Sequence, residues 1–422
     1  MTTAIDPQYA GSQAKEDIAV LRELAKQYVE IAHKPVQDTR RALWRQKNGL
    51  VDVPPLIYIR ACAWHEMPQA RCVCADPFYR HYEDYFRQMI FQDTFDDDYI
   101  IEPWVTLQAT CVTPPEGIWG LPVRWTRTEM EHGSGVWDAP IKEPDDIYKL
   151  AEIHHVIDEE DTARRLEKLQ EAIGDIVCIN VDRGPVYRMW NGDISTQLAY
   201  LRGLEQMMWD MVDRPEWLHE LLSIMRDGIL RAHTEAEQAG DWRLCDHQNQ
   251  SMPYALELDD PAANSAPVTR DKLWTYAASQ ETTAVGPAMF EEFMLQYQIP
   301  IMEKFGLVAY GCCEDLTRKI GVLRQIPRLR RIAVAPAANV AKCAEQIGQE
   351  YVVSYRPSPA DMVSYRWGPE RIRSILRRDL EACRECHVDI TLKDVETVEG
   401  DPNRIRNWVA LTRRVIDEFW PS

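Results

Sequence analysis

Short runs rich in β-branched and aromatic residues recur along this chain, and helical patterns separate them. Nine runs read as strands: 56–62 (LIYIRAC), 104–111, 175–182, 242–246, 273–279, 307–313 (LVAYGCC), 331–336, 351–355 and 388–393. Between them, residues 14–48 set Ile18, Leu21, Leu24, Ala25, Tyr28 and Val29 at helical spacing. The stretch 215–239 opens on Pro215 and carries Leu218, Leu221, Leu222, Met225, Ile229 and Leu230 as one apolar stripe. Gly240 then stops it. Residues 288–304 and 369–383 repeat the pattern. Such alternation implies a parallel sheet covered by helices. No glycine-rich phosphate loop follows the first strand, which argues against a dinucleotide-binding fold. Eight or nine repeats predict a (β/α)8 TIM barrel, with its chemistry at the carboxyl ends of the strands. Nine runs are one too many for that ring, so either 242–246 or 273–279 is expected outside it.

This reading divides the chain into an N-terminal helical extension, 1–50, and a barrel, 51–422. Residues 64–103 and 112–140 are expected as loops and insertions over the carboxyl face. With 422 residues, 45% apolar and 27% charged, the chain can bury a full core without staples. A net charge of −19 argues against nucleic acid as a partner. The first residues lack a basic segment leading into an apolar one, and no run of about 18 apolar residues appears, so neither a leader nor a membrane span is expected. Eleven irregularly spaced cysteines then fit free thiols in a reducing, cytoplasmic setting.

The barrel rule converts strands into candidate site residues. The first strand delivers Trp64, His65 and Glu66, and the third Asp182 and Arg183. Run 242–246 delivers Asp246 and His247, and run 273–279 Gln280 and Glu281. Run 307–313 delivers Cys312, Cys313, Glu314 and Asp315, and the last two runs Arg356, Lys393 and Asp394. Thiol, imidazole and carboxylate converging with one position open would make a Lewis-acid zinc site. The expected ligands are Cys312, Cys313, His247, Glu281 and Asp315. Glu281, Glu314 and His65 are the expected acid–base residues. Each has a plain counterpart: buried thiols often only pack, a histidine can cap or fill a core, and neighbours on a strand face opposite ways. The pattern Cys383-x-x-Cys386-His387 matches haem attachment, but at a helix end without an export signal it reads as chance spacing.

The segments PAMFEEFMLQYQIPIMEKFGLVAYGCCEDL, YVVSYRPSPAD and VDITLKDVETVEGDPNRIRNWV resemble the uroporphyrinogen decarboxylase-like superfamily. The layout is similar over roughly 50–420, with specific motifs in about the last 150 residues. The resemblance implies a (β/α)8 barrel and either decarboxylation or zinc-dependent methyl transfer with corrinoid proteins. The decarboxylase branch carries an Arg-Gln-Ala-Gly-Arg motif, whereas the first strand here reads IYIRACAWHEM. The coenzyme M methyltransferase branch carries His-x-Cys where this chain has Tyr310-Gly311-Cys312, and a later cysteine where it has Lys393-Asp394. The veratrol-type methyltransferase I proteins of phenyl methyl ether O-demethylases carry Asp-x27-Cys-x39-Cys, a spacing that Asp315, Cys343 and Cys383 reproduce. Cys383 would lie at the opposite end of a strand about 17–20 Å long, so the metal is assigned to the strand ends and the spacing to kinship.

The resulting expectation is a zinc-dependent methyltransferase that moves the methyl group of a small O-methyl compound to the cobalt of a separate corrinoid protein. Cobalamin must come on that partner, because no Asp-x-His-x-x-Gly motif is present. A homodimer is expected from the resemblance alone. The alternatives are a metal-free decarboxylase or lyase acting on a small acid, and a non-catalytic binder that kept the barrel.

Overall fold

The computed structural model describes residues 7–60, 62–127 and 135–420. Ala61 of the first strand candidate, part of the 112–140 insertion, and the first six and last two residues lie outside the described residues. The N-terminal pattern forms two helices, α1 (Pro7–Ala32) and α2 (Pro35–Asn48), because Pro35 restarts the helix at its own first turn. β1 (Leu56–Ile59) follows, then α3 (Pro77–Gln92), β2 (Trp104–Gln108), and an antiparallel pair, β3 (Arg124–Arg127) with β4 (Gly135–Asp138). Next come α4 (Glu159–Ile173), β5 (Cys178–Asp182), α5 (Ser195–Arg202), α6 (Leu204–Asp213) and α7 (Pro215–Ala239). After β6 (Trp274–Ala277), α8 (Pro287–Phe290) runs through a π turn at Glu291–Leu295 into α9 (Gln296–Met302). The chain finishes with β7 (Leu307–Tyr310), α10 (Ile320–Leu323), β8 (Leu329–Val334), α11 (Val340–Ile347), β9 (Val352–Tyr355), α12 (Pro369–Ala382), β10 (His387–Leu392) and α13 (Asn403–Phe419).

Six strands form one parallel sheet in the order β1-β10-β9-β8-β7-β6, and β2 pairs with β5 in a second parallel sheet. The residues of β1, β6, β7, β9 and β10 are all buried, as expected where helices cover both faces of a parallel sheet. Eight of the nine expected strands are present. The exception is 242–246, where Leu244–Asp246 makes a 3-10 turn because Asp246 turns back to accept from Arg243 N at 2.7 Å. The expectation of loops over 64–103 also fails at α3. Asp76 caps that helix by accepting from Phe78 N at 2.8 Å, and Pro77 sits in its first turn. Tyr82, Phe86 and Met89 give it a buried face against Leu21, Ala25 and Tyr28 of α1.

The two sheets are joined by side chains rather than by continuous strand pairing. At β1, Ile57 N donates to Asp98 Oδ2 (2.7 Å), Ile59 N to Asp97 Oδ2 (2.9 Å), and Asp98 N to Ile57 O (2.7 Å). Arg413 of α13 pairs with the same Asp98 carboxylate. Between β5 and β6, the Asn264 amide copies a strand backbone, accepting from Val181 N and donating to Ile179 O. Across that gap His247 Nδ1 accepts from Trp274 N, and Gln248 N donates to Trp274 O. The larger apolar core lies between the helices and the six-stranded sheet, and a second lies among α1, α3, α4, β2 and β5. No helix among the described residues is long and apolar enough to cross a membrane.

Replacing Asp98 with alanine strands the Ile57 amide in the interior and removes the partner of Arg413. The variant should lose about 2–3 kcal/mol in urea unfolding with an unchanged slope. Arg413→Ala should lose less, because that side chain is partly exposed. An Asp98→Ala midpoint equal to that of the parent would remove the seam from the account of stability.

Candidate active site

β7 ends at Tyr310, and Gly311 reverses the chain with a left-handed φ of 99°. A Cβ there would lie 2.6 Å from Leu316 Cδ1, so both space and backbone demand glycine. Because the strand has ended, the next two side chains no longer face apart: Cys312 Sγ and Cys313 Sγ are 3.5 Å from each other. Lys393, just past β10, donates from Nζ to Cys313 Sγ at 3.1 Å and to Cys312 Sγ at 3.7 Å, and also binds Asp394. Arg356, just past β9, donates from Nη1 to the Cys312 carbonyl at 2.8 Å. Cys312 is buried and its thiol is held well below the ordinary value. The first cause is the Cys313 thiol, which donates to it; with the Arg356 and Lys393 charges added, it outweighs burial. Cys313 is exposed and is pushed up by the same pairing.

A cavity of about 680 Å3 opens at the carboxyl ends of β1, β2 and β5 and along residues 245–251. Arg188 spans one wall, donating to Asp182 Oδ2 (2.5 Å) and Asp246 Oδ1 (3.0 Å). The two carboxyls diverge. Burial and the Asp182 charge push Asp246 up, whereas Arg188 holds Asp182 down against burial. One acid and one carboxylate on a shared arginine suit proton transfer. Another wall carries buried polar groups without partners: Gln248 Nε2, both ends of the Gln250 amide, and Ser251 Oγ. Gln250 faces Cys312 without a formed hydrogen bond, and Trp190 packs edge-on against Tyr276 with ring centroids 5.2 Å apart. Gln250 and Met189 both line the cavity with left-handed backbones. Strain and unpaired buried groups gathered at one cavity are marks of a functional site.

No protein-family model matches this chain, and no curated protein matches it either.

The residues expected from the sequence divide in this frame. Cys312 and Cys313 meet. Glu281 lies elsewhere, accepting from Ser195 Oγ (2.8 Å), Thr196 Oγ1 (3.1 Å) and Gln280 Nε2 (3.2 Å). Glu314 is fully buried, accepts from Ser279 N (2.9 Å) and Cys312 N (2.7 Å), and is pushed up by burial. It braces the ends of β6 and β7. His247 uses both ring nitrogens, on Trp274 N and on the Asp259 carbonyl at 3.1 Å each, and burial lowers it to about 4. Asp315 accepts from the backbone and hydroxyl of Thr317. Cys343 Sγ donates to that hydroxyl at 3.6 Å, and Cys383 is buried at the end of α12. His65 stands exposed in the turn Trp64–Glu66, and its neighbour Glu66 accepts from Val398 N and Gly400 N.

Among the described residues no three His, Cys, Asp or Glu side chains gather as a metal-binding group. The expected zinc set does not fit as folded. Only its two thiols converge, its other donors are engaged elsewhere, and the Lys393 ammonium lies between the thiols and Asp394. Sequence reasoning missed Arg60, Arg188, Asp193, Gln248 and Gln250. The run His247-Gln-Asn-Gln-Ser251 was the available signal, since amides so concentrated after a short apolar run need partners if buried. Asp193 is buried against Glu281 and Glu314, and burial together with the Glu281 charge pushes it well up.

The thiolate at Cys312 gives a direct test. Ultraviolet thiolate absorbance should keep one signal at pH values well below the ordinary thiol range, and Cys312→Ser should abolish it. Lys393→Met should move its midpoint upward, because one of the charges favouring the thiolate is gone. A parent protein with no thiolate signal below the ordinary range would overturn this assignment.

Proposed function

We propose that this chain is the substrate-binding methyltransferase of a corrinoid-dependent O-demethylase. It would bind a small O-methyl compound, in the first instance a phenyl methyl ether, in the 680 Å3 cavity and present its methyl group to the cobalt of a separate protein. We read the two parallel sheets as arcs of one (β/α)8 barrel sealed by side chains at the Asp97–Asp98 and His247–Asn264 seams. The cavity is then the barrel mouth, where this fold does its chemistry. The reading belongs to the resemblance with the uroporphyrinogen decarboxylase-like superfamily. The observation that supports it most is the meeting of Cys312, Cys313 and Lys393 beside Gln250 at this end of the sheets.

The reduced corrinoid supplies the nucleophile, so this chain needs none of its own. Its own task is the departing oxygen, which gains negative charge as the methyl group leaves. Asp246, pushed up by burial, can hold a proton on the cavity wall, give it to the departing oxygen and regain one from solvent, while Arg188 keeps Asp182 as a carboxylate. Lys393 adds positive charge beside the thiols. Zinc enters only through the resemblance.

A second reading, a metal-free lyase acting on a small acid, is favoured by one observation: the Lys393 ammonium already sits against both thiols. The deciding experiment incubates the protein with a reduced corrinoid protein and aryl methyl ethers, following methylation of cobalt by its spectrum. Methylation should depend on the chain and fall at least about tenfold in Asp246→Asn. Absence of cobalt methylation across the ether series, with release of carbon dioxide from small acids, would replace the first reading with the second. Elemental analysis of the same preparation decides the zinc expectation.

A further inference from the structure

Among the described residues, no third His, Cys, Asp or Glu side chain gathers with Cys312 and Cys313 into a metal-binding group. What the loop after β7 does hold is a pair of thiols with a cation. The sulfurs are 3.5 Å apart, and Lys393 Nζ lies 3.1 Å from Cys313 Sγ and 3.7 Å from Cys312 Sγ. Lys393 is itself only 5% exposed. A buried ammonium against a thiol favours the thiolate, which is the form that attacks. Cys313 is exposed, whereas Cys312 beneath it is buried. One sulfur therefore meets solvent while a second waits in contact with it, the arrangement of a reactive cysteine and its resolving partner.

The contact is fixed by the backbone. Glu314 accepts from Cys312 N at 2.7 Å, and Arg356 Nη1 donates to the Cys312 carbonyl at 2.8 Å. Other thiols of the chain are turned toward carbonyls: Cys386 Sγ donates to Ala344 O and Cys245 Sγ to Ala262 O. Cys383 and Cys386, also close in sequence, are both buried.

We propose that Cys312 and Cys313 form a reversible dithiol–disulfide site that is oxidised by small hydroperoxides. The proton that Cys313 shares with Cys312 has only the gap between the two sulfurs to cross, which leaves Cys313 as a thiolate against Lys393. Its sulfur attacks one peroxide oxygen. The S–O bond forms, the O–O bond breaks, and hydroxide leaves and takes a proton from solvent. Cys312 Sγ then attacks the sulfenic sulfur. The S–S bond forms, the S–O bond breaks, and the Cys312 proton leaves with the oxygen as water. The two thiols lose two electrons, and the peroxide gains them.

The bridge is built to be undone. Neighbouring Cα atoms are about 3.8 Å apart across a trans peptide, inside the range of about 4.4–6.8 Å that relaxed disulfides span. Such a bridge is strained and readily reduced, as labile and regulatory disulfides are. Closing it takes the thiolate from beside Gln250 on the cavity wall and leaves Lys393 with Asp394. The inference goes beyond the functional reading above and holds for methyl transfer or a lyase alike.

Treating the reduced full chain with an equimolar amount of hydrogen peroxide tests it. Two thiols per chain should disappear, the intact mass should fall by two hydrogens, and peptide mapping should place the loss at Cys312 and Cys313. Glutathione should restore both thiols. Cys312→Ser should stop at a sulfenic acid on Cys313, trapped by dimedone, and Cys313→Ser should keep its remaining thiols over the same time. Lys393→Met should slow the oxidation at least about fivefold, because the thiolate loses its counter-charge. Mapping of the parent chain reads the site without any variant having to fold. Survival of all eleven thiols, loss mapped to other cysteines, or oxidation that glutathione does not reverse would each overturn the proposal. So would a zinc ion bound by the parent chain and lost in Cys312→Ser.

Discussion

The turn at Gly311 governs what the carboxyl ends of the strands can present. It ends β7 with a left-handed residue that no side chain could occupy against Leu316 and Ala333. Cys312, Cys313 and Glu314 follow in a conformation that no strand could give them. Glu314 then turns inward and holds Ser279 N and Cys312 N, so that one buried carboxyl fixes the ends of β6 and β7 together. Arg356 reaches the same loop from β9, and Lys393 reaches it from β10. Four strand ends meet through one acid and two cations. A side chain buried this deeply is costly when charged and unpaired, and burial accordingly moves Glu314 toward its neutral form.

The local electrostatics run against the whole molecule. The chain is strongly acidic, yet Arg60, Arg356 and Lys393 stand at the strand ends, and the nearest buried acids are shifted toward neutrality. Away from the mouth, the sheet interior spends its charges on structure. Arg331 on β8 donates to Asp389 on β10 at 2.5 Å, and its Nη1 donates to Asn48 of α2 at 2.7 Å. Burying both partners costs solvation, but each has further polar contacts, which is the condition under which such a pair is tolerated. One end of the sheet is therefore closed by satisfied charges, while the other keeps Arg60 without a carboxylate partner among the described residues, beside the paired Arg188, Asp182 and Asp246. Binding needs the second arrangement and stability the first.

Several elements were legible because their signals are local. Pro215 and Gly240 bound α7 where expected, and the buried strands read as apolar runs. The failures have physical causes too. Residues 242–246 look like a strand until Asp246 folds back on Arg243 and engages Arg188. The helix α3 was hidden because its aromatic residues resemble an insertion, although Asp76-Pro77 marks its start. At the site, position after a strand identified the correct end of the sheet for Cys312, Cys313 and Lys393. It did not reveal that His247 and Glu281 would spend their polar atoms on neighbouring loops.

By itself the sequence determined the alternating parallel architecture, the large acidic excess, and a thiol pair set after a glycine. These follow from side-chain periodicity and from the backbone freedom of one residue, both of which act within a few positions along the chain. Only the tertiary structure decided which groups share the cavity. Arg60, Arg188, Asp246 and Gln250 come from three separate segments, and their pairing depends on where the strand ends and loops bring them. Whether a given polar atom is satisfied or left open depends on those distant neighbours. A one-dimensional pattern carries no record of that.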